Sequence, residues 1–256
     1  MKIIDVGSGL CIFENLFNID PKKIIEYINF LRKIEQGTFT YVEENGKKYA
    51  INRTGFKFDL DSINLAPERF IDPLCNWHDQ KPTKEQKDIV FFLEDLLYKI
   101  LVEYCKIYPA AATVFWWRYP GHFATYTSGQ GIGQHCDDNI PYQENMGQIN
   151  EYPKHVKVSI NIYMNDSVEN EHEIDQTNFT GGLIKFKHAN YIHKPRMGTA
   201  VVSPANYVGT HEVTPVKNGI RVAYLAAFCY GTPENANPND NRIWIPNLRK
   251  DCGQTR

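Results

Sequence analysis

"VKVSINIYMN", residues 156–165, is the stretch on which the fold turns. Val158, Ile160 and Ile162 alternate with Ser159, Asn161 and Tyr163, the period-two pattern of a strand with two different faces. Similar short runs surround it: "TVFWWRYP" (113–120), "HFATYT" (122–127), "GGLIKFKH" (181–188), "GTAVVSP" (198–204) and "IRVAYLAAF" (220–228). Gly, Pro and Asn punctuate them. Many short antiparallel strands without intervening long helices predict a sandwich or jelly roll rather than βαβ units.

Upstream the period changes to a helical one. "DPKKIIEYINFLRKI" (20–34) starts with Asp20 as N-cap and Pro21 at the first helical position, and Ile24, Ile25, Ile28, Leu31 and Ile34 recur on one face. "TKEQKDIVFFLEDLLYKILVEYCKIY" (83–108) carries the longest helical pattern, with Thr83 and Gln86 spaced for a capping box and Pro109 beyond its end. Both helices are expected to pack outside a sheet. The chain thus reads as one domain, 1–256, of mainly β structure with flanking helices (α+β). It comprises a helical and extended support region (1–112), a β core (113–230) and an irregular tail (231–256) in which "IWIP" docks.

Composition narrows the function classes. Charged residues are 23%, hydrophobic residues 42% and the net charge is −2, so no broad basic field exists to track phosphates. The aromatic content of 13% suits a β-rich fold with pockets. Six cysteines (Cys11, Cys75, Cys105, Cys136, Cys229, Cys252) show no C-x-x-C pair, which argues against a disulfide framework or a zinc knuckle. Neither a secretory leader nor a membrane-length apolar run is evident, and a cytoplasmic setting is expected.

"GIGQHCDDN" (131–139) sets His135 and Asp137 two residues apart behind a glycine turn. On a strand they would project to the same side. Alone the pair decides nothing, since a polar loop supplies it as easily. A third ligand is available in His211, within "NYVGTHEVTPVKNGIRVAYLAAF" (206–228). Two histidines and one carboxylate form the facial triad of non-haem Fe(II) oxygenases. Ten residues after His211, Arg221 interrupts an otherwise apolar strand, and a buried arginine predicts an anion. A hairpin through "VKNG" would set Arg221 about 16 Å deeper than His211 at ~3.3 Å per residue, a span that the long arginine side chain, a small dicarboxylate and a metal bond could fill.

The ordered pieces "YTSGQGIGQHCD", "SINIYMN", "GGLIKF", "PRMGTAVVSP" and "THEVTPVKNGIR" resemble the Fe(II)- and 2-oxoglutarate-dependent oxygenases, in particular their prolyl 4-hydroxylase-like branch. The resemblance spans roughly residues 113–229. It implies a double-stranded β-helix, with His135, Asp137 and His211 as catalytic iron ligands. It further implies that Arg221 pairs with the distal carboxylate of 2-oxoglutarate and that Tyr163 hydrogen-bonds it. Tyr126 would line the same pocket, Ser159 stands where the family often has Thr, and Gly181 and Gly182 match its paired glycines.

Fe(II), 2-oxoglutarate and dioxygen follow as cofactor and co-substrates, with ascorbate as an accessory reductant. The implied reaction converts 2-oxoglutarate to succinate and CO2 and hydroxylates a substrate C–H bond. A prolyl residue in a peptide or protein is the expected substrate, with a free amino acid or small metabolite as the alternative. A carboxylate at position 137 fits hydroxylation rather than halogenation, and Ala227, where a second arginine would stand, speaks against the nucleic-acid demethylase branch. No nucleic-acid or membrane partner is expected, and oligomeric state is not legible. A non-catalytic jelly roll holding a metal is the rival from another class.

Two segments, 139–154 and the acidic 165–180, are expected to cover the active-site mouth. The other histidines (His78, His122, His155, His172, His188, His193) read as surface or hydrogen-bonded groups. Trp116 and Trp117 read as packing residues, and Arg118 beside them as a candidate for a substrate carboxylate.

Overall fold

The computed structural model of the chain describes residues 1–35, 40–51, 57–59, 68–71, 82–119, 121–138, 156–231 and 243–254. Segment 139–154, His78, Cys75 and His155 lie outside the described residues. Numbered along the chain, the strands of the largest sheet are β1 (Lys2–Gly7), β2 (Leu10–Glu14), β6 (Glu68–Ile71), β7 (Trp117–Arg118), β8 (His122–Tyr126), β10 (Val156–Tyr163), β15 (Thr199–Pro204), β18 (Arg221–Cys229) and β19 (Ile243–Trp244). A second sheet orders β14 (Tyr191–His193), β13 (Ile184–Phe186), β16 (His211–Val213) and β9 (Ile132–His135). Smaller ladders join β11 (Ser167–Val168), β12 (Phe179–Gly181) and β17 (Val216–Gly219), and β3 (Thr40–Glu44), β4 (Lys47–Ile51) and β5 (Lys57–Asp59).

The two faces of β10 do different work. Val158, Ile160 and Ile162 join one hydrophobic cluster with the helices, whereas Tyr163 joins a second cluster between the two main sheets. β18 repeats the division: Val222, Tyr224, Ala226 and Phe228 lie on the helix side, and Arg221 and Ala223 on the other. Antiparallel pairing sets Tyr163 opposite both Thr199 and Ala223, and Arg221 opposite Tyr126. Together with the facing four-stranded sheet this is the expected jelly roll.

Helix α1 (Pro21–Glu35) buries Ile24, Tyr27, Ile28 and Leu31 against the large sheet. The Asp20 carboxylate accepts from the Lys22 N–H at 3.0 Å, as an N-cap should. Helix α2 (Lys84–Ile107) opens on the predicted box, with Gln86 N donating to Thr83 Oγ1 at 3.2 Å and Thr83 N to Gln86 Oε1 at 2.8 Å. Its buried stripe includes Val90, Leu93, Leu97, Ile100, Leu101 and Tyr104, recurring every three to four residues. The tail returns through β19 against β7, after which Ile245 and Leu248 enter the helix-side core.

Helix α2 also supplies Glu94, which accepts from Arg118 Nη1 at 2.5 Å, from the Gly121 N–H at 2.8 Å and from the Tyr224 hydroxyl at 2.6 Å. All three side chains are buried. Arg118 is therefore a structural ion-pair partner on the helix side, not a residue waiting for a substrate carboxylate.

Two local expectations fail. His211 and Arg221 do not belong to one hairpin: β16 lies in the four-stranded sheet, β17 pairs with β12, and β18 lies in the large sheet. The chain crosses from one layer to the other between them, so a ladder count along one hairpin does not measure their separation. β9, moreover, ends at His135, and Asp137 occupies the turn that follows. The same-side argument for His135 and Asp137 thus fails, although the two side chains still converge.

Candidate active site

His135 and His211 are register partners on the antiparallel strands β9 and β16, with ring centroids 4.4 Å apart. Asp137 reaches back from its turn, placing Oδ1 3.7 Å from His135 Nε2. One ligand atom from each of the three residues lies within 4.8 Å of the others. His211 is buried, while His135 and Asp137 are partly open, so the cluster has an accessible side.

The protonation pattern of both imidazoles follows from their backbone contacts. His135 Nδ1 lies 2.8 Å from the Gly133 carbonyl, and His211 Nδ1 lies 2.9 Å from the Gly209 carbonyl. A carbonyl only accepts, so each Nδ1 carries the proton and each Nε2 presents a lone pair. A carbonyl on the distal nitrogen orients a ligating histidine and makes it more basic. Two such nitrogens beside a carboxylate suit a first-row divalent cation with positions left for other ligands. Phe186, register partner of His211 on β13, packs tilted against its ring at 5.3 Å and limits the rotation of that ring.

A second chamber lies around Arg221, which is 2% exposed. Its guanidinium stands 4.5 Å over the Tyr126 ring and 5.4 Å from the Tyr163 ring. Neither Arg221 Nε nor the Tyr163 hydroxyl has a hydrogen-bond partner among the described residues, although both are sealed from solvent. Burial pushes the Tyr163 phenol well above its ordinary value, so it remains a proton donor, even with Arg221 acting in the opposite sense. A buried cation beside an unused hydroxyl donor is costly unless an anion completes it. The donors present therefore fit a carboxylate.

Gly182, at φ +60°, leaves the room for this arginine: a Cβ there would stand 2.9 Å from Arg221 Cδ and 2.9 Å from Phe179 Cε2. Gly181, at φ +77°, would similarly drive a Cβ to 2.4 Å from the Pro215 carbonyl. Only glycine tolerates both the backbone conformation and the contact.

The predicted residues thus divide into two groups. His135, Asp137 and His211 come together, as do Arg221, Tyr163 and Tyr126. Ser159 lies on the chamber face of β10 but opposite Ser203, four residues from Tyr163. It sits toward Ala205, whose carbonyl accepts from the Asp138 N–H at 3.0 Å, and so toward the triad. The acidic segment 165–180 is bonded to the backbone around Arg221: Asn165 donates to the Ile220 carbonyl at 2.7 Å and accepts from the Val222 N–H at 3.0 Å.

His193 is not the surface or hydrogen-bonded group expected of it. Only 4% exposed, it stacks on Tyr163 at 4.9 Å, and its Nε2 has no partner among the described residues. Its neighbours in sequence, "NYIHKP" (190–195), offer no signal for this, because the stack joins strands about thirty residues apart.

Residues 121–228 match the family model of the 2OG-Fe(II) oxygenase superfamily. No curated protein matches the chain. Among solved structures, a prolyl hydroxylase from Trichoplax adhaerens in complex with a hypoxia inducible factor oxygen degradation domain peptide fragment is similar at 15% identity and a TM-score of 0.50, covering 87% of this chain and 84% of that one. A viral collagen prolyl hydroxylase from Paramecium Bursaria Chlorella virus-1, in its 2OG complex, is similar at 12% identity and a TM-score of 0.49, covering 88% and 98%. A Pseudomonas putida prolyl-4-hydroxylase is similar at 14% identity and a TM-score of 0.45, covering 88% and 94%.

Proposed function

We propose, from the match of residues 121–228 to the 2OG-Fe(II) oxygenase superfamily model, that the protein is such an oxygenase and hydroxylates a prolyl residue in a peptide or protein. In this reading His135, Asp137 and His211 hold Fe(II). Arg221 and Tyr163 hold the distal carboxylate of 2-oxoglutarate, and Tyr126 supports the guanidinium from beneath. The observation that carries the reading is the pairing of two incomplete sites in one barrel: a three-ligand cluster with an open side, and a buried arginine whose Nε has no partner among the described residues.

Bound iron would supply the oxygen chemistry, and the chain supplies placement. The Gly133 and Gly209 carbonyls hold the two imidazoles in the ligating tautomer. Arg221 anchors one end of the co-substrate, so its other end is presented in a fixed orientation. The surrounding apolar residues, among them Ile184, Val213 and Ala223, exclude water from the chamber and strengthen the ionic contact.

A peptidyl substrate is supported by the fold shared with a peptide-bound prolyl hydroxylase and by the rim beside the triad. There Tyr207 is 72% exposed, packed edge-on against His188 at 6.4 Å, and close in sequence to His211. An exposed aromatic pair close in sequence to a metal ligand suits packing against the apolar pyrrolidine ring of proline.

The test is succinate production from 2-oxoglutarate by protein loaded with iron under anaerobic conditions and then exposed to air. Proline-rich peptides and free amino acids would be added in separate arms. Stimulation by peptides alone is expected, whereas stimulation by free amino acids alone would replace the peptidyl substrate with a metabolite. Metal binding without 2-oxoglutarate binding would leave only a metal-holding jelly roll.

A further inference from the structure

We infer that His193 is a third donor in the Arg221 chamber and reads the distal carboxylate of the 2-oxo acid through its Nε2–H. The inference rests on the co-substrate assignment above and adds to it a residue that positions and selects the ligand.

Register puts His193 in the chamber. β14 pairs with β13, setting His193 opposite Ile184 and Tyr191 opposite Phe186. Phe186 in turn faces His211, and Ile184 faces Val213. Tyr191 therefore shares the level of the metal ligands, and His193 lies one strand repeat, about 7 Å, further along. Ile192 points the other way and is exposed. At that level the ring meets Tyr163 from the opposite sheet, 4.9 Å centroid to centroid.

Three sealed polar atoms thus belong to one contiguous set of side chains: Arg221 Nε, the Tyr163 hydroxyl and His193 Nε2. Buried polar atoms are almost always satisfied, and three exceptions in contact mark a missing acceptor rather than three separate defects. On its other side His193 borders an outer cleft lined by Glu14, Glu169, Lys194 and Arg196. Those carboxylates are already engaged: Glu14 by Lys2 and Arg196, and Glu169 by Lys194. Asp166 and Glu173, which also line the cleft, accept from the Met197 and Asn170 N–H groups, and the His193 nitrogen is shut off from solvent.

Charge argues the same way. Burial pushes the His193 imidazole down to about 4, with Arg221 and Arg196 adding to the effect and Glu14 opposing it. The ring is neutral at physiological pH, and a neutral imidazole carries a single N–H. It can sit beside a guanidinium without repulsion and still donate one hydrogen bond. A cationic third residue would be repelled by Arg221, an anionic one would repel the carboxylate, and an apolar one would leave a carboxylate lone pair unmet. The tripod favours a 2-oxo acid with a second carboxylate over one ending in a methyl group.

The test is calorimetric titration of the Mn(II)-loaded protein with 2-oxoglutarate and, separately, with 2-oxopentanoate, which has the same chain length but no distal carboxylate. His193→Phe keeps the ring stack and removes the nitrogen, and His193→Gln keeps an N–H donor at a similar reach. His193→Phe is expected to weaken 2-oxoglutarate by roughly tenfold or more, the effect of one hydrogen bond to a charged group. It should leave 2-oxopentanoate within about twofold, and His193→Gln should recover most of the loss. In wild-type protein labelled at the histidine nitrogens, 2-oxoglutarate should shift the Nε2–H resonance of His193, a readout that needs no variant to fold.

Unchanged 2-oxoglutarate binding in His193→Phe, equal weakening of both acids, or an unmoved resonance would each overturn the inference while leaving the oxygenase assignment intact. Failure of the wild-type protein to bind either acid would overturn both.

Discussion

His135 and His211 face each other across one antiparallel ladder, each held by a backbone carbonyl two residues before it. The pairing makes the metal cluster a property of two adjacent strands and one turn rather than of a flexible loop.

Replacing either histidine, or Asp137, by Ala is therefore expected to lower metal affinity by on the order of a hundredfold or more while leaving the fold intact. Metal content after dialysis, read beside the circular dichroism spectrum, checks this. A variant that retains iron at wild-type stoichiometry would remove that residue from the ligand set.

Arg221→Met should separate binding from stability. In the proposed reading the variant loses the anchor for the distal carboxylate, and the 2-oxoglutarate KM should rise on the order of a hundredfold. It also deletes a buried cation, so the ligand-free protein should be as stable as wild type or more so. Thermal melts with and without co-substrate show the contrast: 2-oxoglutarate at one hundred times the wild-type Kd should stabilise the wild type by about 2.7 kcal/mol and the variant by only about 0.4 kcal/mol.

How much of this was legible in the sequence varies with how local the signal is. Thr83, Gln86 and Asp20 announced their helix starts because a cap is written in four adjacent residues. The two faces of β10 were equally plain. The jelly roll followed from strand length and punctuation, and His135, Asp137, His211 and Arg221 followed from family-like order. What could not be read was which layer each strand enters. The crossing between His211 and Arg221 looks the same in sequence as a hairpin. Arg118 was misread for a similar reason: its partner Glu94 sits on a helix twenty-four residues earlier. His193 acquires its meaning only from Tyr163, on the other sheet.

The Glu94 network predicts a purely structural phenotype. Glu94→Ala leaves Arg118 buried without a counter-ion and the Tyr224 hydroxyl without its acceptor, and should cost about 3–5 kcal/mol of folding stability. Measured at a temperature where the variant is folded, its 2-oxoglutarate affinity should equal that of wild type. A change in affinity without a change in urea midpoint would place this network in the active site after all.

Acid should weaken the fold through His193. Its folded value of about 4 lies below the ordinary 6.5, so between these limits the unfolded chain binds the extra proton. The contribution is fully present above about pH 6.5 and is lost progressively as the pH falls toward 4, amounting to about 3 kcal/mol in all. His193→Gln has no such proton to take up. The difference in unfolding free energy between wild type and variant, taken from urea melts, should therefore change by about 2–3 kcal/mol between pH 7.5 and pH 4.5, and a constant difference would show that the imidazole is not buried neutral.

The alternation along β10 and β18 also has a bearing on how such a protein can change. Val158, Ile160, Ile162, Val222, Tyr224 and Ala226 pack with the helices, while Ser159, Tyr163, Arg221 and Ala223 face the chamber. Neighbouring codons thus answer to different demands, one to folding and the next to ligand choice. A library confined to alternate positions could explore new co-substrates while leaving the scaffold untouched, and the complementary library could raise heat tolerance without altering what the enzyme recognises.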